Sequence, residues 1–219
     1  MSVATAATVR FELEFEANLA NGKHVYEICA SCHLPEGWGN EDGTYPQLAG
    51  QNQKVLIKQL LDIRSGKRDN PIMYPFVSAR TIPDYQSLAD VVAYISLLPM
   101  TPENGKGPWG ADTVEYRQGK TLYQEKCSGC HGASGEGNDA LSIPKLQGQH
   151  YAYNLRQIRH ISRKERRSDP AMLSIVEHLK SDQIEKIVNY VSRLPVPKSS
   201  LAPDIHWRNP DFSDELNGK

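Results

Sequence analysis

Four cysteines and two histidines form the two motifs of this sequence that could support chemistry. The motifs are Cys29-Ala30-Ser31-Cys32-His33 and Cys127-Ser128-Gly129-Cys130-His131. Two thiols three positions apart lie about one helical turn from each other, so both can reach the vinyl groups of one porphyrin. The imidazole that follows can then face the iron. This spacing is typical of covalent haem attachment, and we expect one haem c at each motif.

Three other roles of paired cysteines remain open at this point. The two pairs together could bind one structural zinc ion, although the repeated histidine would then have no role. One pair could be a thiol redox centre, although no thioredoxin-like strand–helix pattern surrounds either pair. The thiols could also form local disulfides. Duplication of the whole motif, with its histidine, favours haem.

The two motifs belong to an internal repeat with an offset of 98 residues. The same offset relates Gly37 to Gly135, Gly39 to Gly137, Asn40 to Asn138, and residues 46–51 to residues 144–149. Before the motifs, Gly22 and Tyr26 match Gly119 and Tyr123, one residue out of step. A repeat that carries its own cofactor motif predicts two domains in tandem.

Apolar spacing predicts helices in both halves of the chain. The predicted helices cover residues 21–30, 54–65, 87–98, 115–126, 151–162 and 181–194. We therefore expect an all-α fold with a first domain over residues 18–100 and a second over residues 113–195. Residues 101–112 between them are rich in glycine and proline and are expected to be a linker.

The two ends of the chain differ from the repeats. In the N-terminal extension, residues 1–17, Val9, Phe11, Leu13 and Phe15 alternate with charged residues, which is strand periodicity. Such a strand must pack on a domain or pair with another segment. The C-terminal tail, residues 196–219, is expected to be irregular and to lie along the surface. Trp207 and Phe212 are its candidate anchors, and a frayed end is the alternative.

A methionine sulfur is the expected second ligand of each iron. Met73 lies 22 residues after Gln51, and Met172 lies 23 residues after Gln149. A methionine usually fills a core, but two at matching repeat positions, each in a proline-bearing loop, favour iron ligation. Met100 has no counterpart in the second repeat and is the weaker candidate.

The other histidines occupy no matching positions in the two repeats. They are His24, His150, His160, His178 and His206. We expect them at the surface or in hydrogen bonds, although they leave bis-histidine ligation open.

A proximal histidine needs its second ring nitrogen held by a partner. Pro46 and Pro144 each follow their histidine by 13 residues. Proline lacks an N–H but keeps its carbonyl on a rigid backbone. We therefore predict that the Pro46 oxygen accepts a hydrogen bond from His33 and the Pro144 oxygen accepts one from His131.

Composition excludes several classes of function. The formal net charge of -1 argues against electrostatic binding of nucleic acid, and no apolar run is long enough for a transmembrane helix. Charge is uneven, however, because residues 156–167 of the second half hold a basic cluster. The cluster is either a solvated helix face or a means of orienting the protein between donor and acceptor. Its arginines could also pair with haem propionates.

With these motifs the chain resembles the cytochrome c4-type dihaem proteins, in which two class I cytochrome c domains are fused. The resemblance covers about residues 18–195. It implies thioether bonds from all four cysteines, the proximal ligands His33 and His131, and the distal ligands Met73 and Met172. It also implies a bacterial periplasmic electron carrier with two closely spaced haems. The alternating N-terminal segment, the long tail and the loop between Met73 and Ser87 depart from the family pattern.

The expected function is to shuttle electrons between redox partner proteins, without enzymatic activity. The donor and the acceptor are not identified, and a membrane-associated oxidase or reductase is one candidate partner. The alternative is a dihaem redox enzyme, or a dedicated subunit of one, of the peroxidase or sulfur-compound dehydrogenase type. Residues 1–9 lack the basic start and apolar core of a secretory signal. Because the resemblance implies a periplasmic protein, we expect that the signal peptide has already been removed.

Overall fold

The computed structural model describes residues 16–212, which fold into helices joined by irregular segments. The first half contains α1 (Leu19–His33), α2 (Gln53–Arg64), α3 (Tyr74–Val77) and α4 (Tyr85–Leu97). The second half contains α5 (Val114–Lys126), α6 (Ser128–His131), α7 (Tyr151–Ser162), α8 (Pro170–Val176) and α9 (Ser181–Val191), followed by a 3₁₀ turn at Lys198–Ser200. The expected all-α fold is confirmed, and no helix within residues 16–212 is long and apolar enough to cross a membrane. The strand predicted near residues 9–15 lies outside the described residues.

Each half is built on a pair of crossing helices that meet at a glycine. Gly22 of α1 lies so close to α4 that a Cβ there would stand 2.2 Å from the Asp90 carbonyl oxygen. In the second half, a Cβ on Gly119 of α5 would stand 2.0 Å from the Lys186 carbonyl oxygen of α9. Only a residue without a side chain permits this approach, which explains why the glycine recurs in both repeats.

A buried tyrosine one turn after each glycine ties its helix to the loop beyond the cysteine motif. The hydroxyls of Tyr26 and Tyr123 donate to the carbonyl oxygens of Leu34 at 2.8 Å and Gly132 at 2.6 Å. Both tyrosines are fully buried. Because a buried hydroxyl without a partner is costly, these bonds fix where the chain leaves each motif.

The two halves contact each other through matching residues of the repeat. Gln59 and Arg68 of the first half pack against Gln157 and Arg166 of the second, and each pair is related by the offset of 98. Arg166 donates to Gln59 Oε1 at 2.7 Å, and Arg68 donates to Gln157 Oε1 at 3.2 Å. The contact is therefore reciprocal, as in an approximate two-fold arrangement.

The predicted linker is packed against the second half. The Asn104 side chain donates to the carbonyl oxygens of Gln149 and Ser192, both at 3.0 Å, and Gly105 N–H donates to His150 Nδ1 at 2.9 Å. Thr101 and Asn104 are buried. The segment therefore has fixed partners along its length.

The C-terminal tail returns to the first half. Phe212 is buried against Tyr26, with ring centroids 5.9 Å apart. The Asn209 side chain donates to the Pro35 carbonyl oxygen at 2.7 Å and to the Tyr94 hydroxyl at 2.9 Å. Trp207 lies against Trp38, with centroids 6.0 Å apart. Both candidate anchors thus contact the first half, and the described tail is docked there.

Much of the basic cluster is used inside the molecule. Arg156 donates to the Gly43 carbonyl oxygen of the first half at 2.5 Å, and Arg166 lies between the halves. Arg159 pairs with Glu185 at 2.5 Å, and Lys164 pairs with Glu177 at 3.2 Å, while Arg163 and Arg167 are exposed. These contacts weaken the expectation that the cluster as a whole faces a partner.

Candidate haem sites

Each cysteine motif lies at the end of a helix. In the first half the motif is the last turn of α1, which ends at His33. In the second half α5 ends one residue before Cys127, and the short α6 ends at His131. In the first half one helix carries both thiols and the imidazole, whereas in the second half Cys127 lies between the two helices and Cys130 and His131 lie on α6. Each motif spans about one helical turn, so local backbone geometry fixes the relative positions of its side chains.

The predicted contact between each histidine and its proline is present. His33 Nδ1 lies 2.9 Å from the Pro46 carbonyl oxygen, and His131 Nδ1 lies 3.1 Å from the Pro144 carbonyl oxygen. A carbonyl oxygen can only accept, so Nδ1 carries the proton and donates. Nε2 is then the ring nitrogen with a free lone pair, which is the form that binds a metal.

Burial keeps both imidazoles neutral. Desolvation lowers the pKa of His33 and of His131, and it outweighs the opposing effect of the hydrogen bond to proline. His33 Nε2 is buried and has no hydrogen-bond partner. An orphaned nitrogen in the core carries a cost unless something binds it, and a haem iron fits that atom.

One glycine in each half shapes the loop that carries the proline carbonyl. Gly39 and Gly137 have φ of 68° and 69°, in the left-handed region. A Cβ on Gly39 would lie 2.5 Å from the Pro46 carbonyl oxygen. Each of these glycines also donates its N–H to the carbonyl oxygen of the histidine, at 3.0 Å to His33 and 2.8 Å to His131. Glycine therefore lets the loop pass close enough for the proline to reach the imidazole.

The cysteines do not support the roles that competed with haem. All four are unpaired thiols, and residues 16–212 contain no cluster of three or more metal-ligating side chains of the histidine, cysteine or carboxylate type. Burial raises the pKa of Cys29 to about 12 and that of Cys127 to about 11. A thiol with so high a pKa holds little thiolate at neutral pH, which disfavours a redox-active thiol at Cys29 and Cys127.

The two expected distal ligands lie in different local structures. Met73 directly precedes α3, and its N–H donates to the Asn70 side chain at 3.3 Å. Met172 was expected in a loop, but it lies inside α8. The reason is local, because the Asp169 side chain caps the helix by accepting from Ala171 N–H and Pro170 occupies the first turn. Both methionines are partly buried.

Met100 has a packing role between the halves. It is buried, with its sulfur and methyl beside Gly50 and Gly148. Its backbone exchanges hydrogen bonds with the tail, from Met100 N–H to Ser200 O at 2.9 Å and from Ala202 N–H to Met100 O at 2.8 Å. The absence of a repeat partner for Met100 agrees with this position at the junction.

The unmatched histidines are either exposed or hydrogen-bonded. His150 is buried, and its Nε2 lies 2.7 Å from the Trp38 carbonyl oxygen while its Nδ1 accepts from Gly105. His24 and His178 have largely exposed side chains, as has His206, and the partly exposed His160 lies beside Glu165. With both ring nitrogens engaged, His150 has no lone pair to offer an iron.

Tyr45 is a residue near the first site that the sequence pattern did not identify. Its ring lies 6.0 Å from the His33 ring, edge to face. A hydrogen bond with Cys32 is the main reason that the pKa of Tyr45 lies above its ordinary value. The equivalent residue of the second repeat is Ile143, so the repeat gave no signal for it.

Known proteins resemble this chain over most of its length. The cytochrome c family model matches residues 19–99 and again residues 116–195. Cytochrome c4 of Azotobacter vinelandii is 31% identical over 195 residues, covering 80% of this chain and 88% of that protein. A protein named thiosulfate dehydrogenase electron acceptor, from Stutzerimonas stutzeri, is 29% identical and covers 83% of this chain and 90% of its own length.

The fold has a counterpart of known structure as well. The crystal structure of reduced recombinant cytochrome c4 from Pseudomonas stutzeri matches with a TM-score of 0.68 at 27% sequence identity. The match covers 82% of this chain and 100% of that one. Two family matches on one chain imply two covalently bound haem c groups. The chain therefore belongs to the cytochrome c family, and within it to the dihaem, electron-transferring cytochromes of the c4 type.

Proposed function

We propose that this dihaem electron-transfer cytochrome holds each iron between a histidine and a methionine, His33 with Met73 and His131 with Met172. In this proposal Cys29 and Cys32 form the thioether bonds of the first haem, and Cys127 and Cys130 those of the second. The observation that carries the proposal is the buried, unpartnered Nε2 of His33, whose opposite nitrogen is held by Pro46.

The chain's own residues prepare each site for electron transfer. Pro46 and Pro144 fix the tautomer and the orientation of their histidines. Burial keeps both imidazoles neutral, so they are available as ligands at neutral pH. When bound, haem iron accepts or donates one electron between its ferrous and ferric forms. A thioether from methionine is a soft ligand that favours the ferrous form, so we expect higher reduction potentials than bis-histidine ligation would give.

The proposal also covers the cellular location of the protein and the redox partners between which it carries electrons. Covalent haem attachment of this type takes place outside the bacterial cytoplasm, so we place the protein in the periplasm. It takes electrons from one redox protein and delivers them to another. A membrane-associated oxidase or reductase is a candidate acceptor.

In the proposed carrier every coordination position of both irons is filled, whereas a catalytic haem keeps one position open to a ligand. This difference provides the test. The ferrous protein should bind little carbon monoxide, and the oxidised protein should show the weak near-infrared charge-transfer band of sulfur-bound iron. Acid–acetone extraction followed by mass spectrometry should leave two haems on the chain. Strong carbon monoxide binding at one haem of the unaltered protein would contradict the proposal that both irons have all their coordination positions filled.

One observation favours a second candidate, a dedicated acceptor for a sulfur-oxidising enzyme. The relative from Stutzerimonas stutzeri is named as the electron acceptor of thiosulfate dehydrogenase and matches over most of both chains. Stopped-flow reduction of this protein by a thiosulfate dehydrogenase, with thiosulfate present, would be fast in that case. The control is thiosulfate without the dehydrogenase: reduction and turnover there would mean that this chain is itself an enzyme.

A further inference from the structure

The peptide bond after each proximal proline lies between the two halves. The Pro46 carbonyl oxygen accepts from His33 Nδ1 at 2.9 Å, and the N–H of the same peptide, on Gln47, donates to Gln149 Oε1 at 3.1 Å. His33 and Pro46 belong to the first half, whereas Gln149 belongs to the second. A single peptide group thus joins the proximal histidine of one half to a side chain of the other.

The second half has the same arrangement with the partners exchanged. The Pro144 carbonyl oxygen accepts from His131 Nδ1 at 3.1 Å, and Lys145 N–H donates to Gln51 Oε1 at 2.9 Å. Gln51 and Gln149 are related by the offset of 98 residues. The relation occurs twice, in the same register, which argues that it is a built feature of the interface.

Each glutamine is held in place by further bonds. Gln149 Nε2 donates to the Gln47 carbonyl oxygen at 2.8 Å, and its Oε1 also accepts from His150 N–H at 3.0 Å. Gln51 Nε2 donates to the Lys145 carbonyl oxygen at 3.0 Å, and its Oε1 accepts from Asn52 N–H at 3.0 Å. These extra bonds leave the amides little freedom to rotate away from the peptide that they contact.

The surroundings make the bond between Gln47 and Gln149 electrically strong, whereas Gln51 and Lys145 are only partly buried. Gln47 is 3% exposed and Gln149 is 7% exposed, so little water competes for their polar groups. In a low-dielectric environment, hydrogen bonds in a chain polarise one another. A peptide whose N–H is engaged by an acceptor places more negative charge on its carbonyl oxygen. That oxygen then accepts more strongly from the imidazole.

A stronger bond at Nδ1 changes what the imidazole does at Nε2. It makes the histidine a more basic ligand, and a more basic ligand favours the higher oxidation state of the metal. We propose that Gln149 lowers the reduction potential of the haem on His33 through the Pro46–Gln47 peptide, and that Gln51 does the same to the haem on His131 through the Pro144–Lys145 peptide. Each half therefore tunes the haem of the other, and both glutamines are positioning residues. The inference rests on the proposed ligation by His33 and His131.

The test uses the haem-loaded full chain and two reciprocal substitutions. Gln149→Leu removes the acceptor for Gln47 N–H, so it should raise the potential of the first haem more than that of the second. Gln51→Leu should raise the potential of the second haem more than that of the first. Redox titration gives both potentials. Proton NMR of selectively labelled histidine gives the Nδ1–H shift of His33 and His131, which should move upfield only for the histidine whose bond is weakened.

Gln59→Leu is the matched control, because it removes an interdomain bond to Arg166 and no contact to either peptide. It should leave both Nδ1–H shifts in place. If Gln149→Leu does not retain its haems, Gln149→Glu provides the test, because a carboxylate accepts more strongly than an amide. It should move the His33 Nδ1–H signal downfield and lower the potential of the first haem, and the absence of both changes would overturn the tuning.

Two outcomes separate this inference from the ligand assignment. Equal movement of both potentials in each glutamine variant, or no movement, with the near-infrared band retained, would overturn the tuning but leave the proposed ligands standing. If labelling shows His33 or His131 away from the iron in the unaltered protein, the ligation fails and the tuning fails with it.

Discussion

Gly22 of α1 and the carbonyl oxygen of Asp90 in α4 are in direct contact, and the crossing of these helices depends on the missing side chain. A Cβ on Gly22 would lie 2.2 Å from that oxygen. The atom in the way is backbone, so no side-chain rotation can relieve the clash. The two helices hold the first cysteine motif and the core beneath it, so the spacing of this contact sets the geometry of the site.

Gly22→Ala should therefore destabilise the first half. Overpacking of this kind costs about 1–3 kcal/mol, which exceeds the gain in helix propensity of up to about 1 kcal/mol. Thermal or urea unfolding, followed by haem absorbance, measures the difference. Glu27→Ala is the control, because Glu27 is an exposed residue of the same helix. Equal stability of both variants would show that the helices can separate without cost.

Met172→Ala should leave one coordination position of the second haem iron without a protein ligand. Loss of the sulfur should lower the potential of that haem, allow carbon monoxide to bind the ferrous form and remove its share of the near-infrared band. Met73→Ala should do the same at the first haem. Met100→Ala, at a methionine packed between Gly50 and Gly148, should leave the band unchanged. Carbon monoxide binding in the Met100 variant, without binding in the Met73 variant, would transfer the first ligand assignment to Met100.

Phe212→Ala should weaken the attachment of the tail to the first half. Replacement of a buried phenylalanine by alanine costs about 3–5 kcal/mol, and we expect the lower end because residues near a chain terminus can separate locally. The change should appear in thermal unfolding and in faster amide exchange around Asn209. Ile205→Ala, at a side chain that is 42% exposed in the same segment, should change stability by less than about 0.5 kcal/mol. If Phe212→Ala lowers the stability no more than Ile205→Ala does, the packing of Phe212 contributes little to the stability of the protein.

Stability should fall as the pH drops through the range of His150. Burial lowers the pKa of His150 from its ordinary value of 6.5, and Lys106 acts in the same direction, while the bond to Trp38 and the charges of Glu41 and Asp42 oppose it. The unfolded chain therefore takes up this proton first as pH falls. Stability is full above pH 6.5 and is lost below it, with a slope of up to about 1.4 kcal/mol per pH unit for one proton.

Urea unfolding of the haem-loaded protein between neutral and mildly acidic pH measures this dependence. His150→Gln keeps a donor and an acceptor but does not titrate, so its stability should depend less on pH in this range. His206→Gln, at an exposed position, should behave like the unaltered protein. If the pH dependence of stability is unchanged in the His150 variant, other groups cause the loss of stability at acidic pH.

Local pattern was sufficient to predict most of the helices and both haem motifs. The predicted helix over residues 151–162 coincides with α7, and the others differ at their ends by a few residues. The repeat also pointed to Pro46 and Pro144, because a proximal histidine requires an acceptor and few positions recur behind both motifs. These features depend on residues close in sequence or on a duplication that can be read directly.

Features that depend on distant partners could not be predicted in the same way. Asn209 contacts Pro35 and Tyr94 only because the chain returns from the second half to the first. The short helix around Met172 depends on the cap at Asp169, which was interpreted as part of a loop. The bond from Gln47 N–H to Gln149 requires the two halves to face each other, and helical periodicity carries no information on that.

The reciprocal contacts of residues 46–51 with residues 144–149 have the form of a homodimer interface. In a two-fold dimer, one position contacts a second in the partner, and the second contacts the first. Position 47 contacts 149 here, and the equivalent position 145 contacts 51. Backbone N–H groups supply half of each contact, so a single ancestral domain with glutamine at the position of Gln51 had what it needed to pair with itself. The two halves therefore face each other as two copies of one domain would, although Gln47 and Lys145 stand at equivalent positions and differ in residue type.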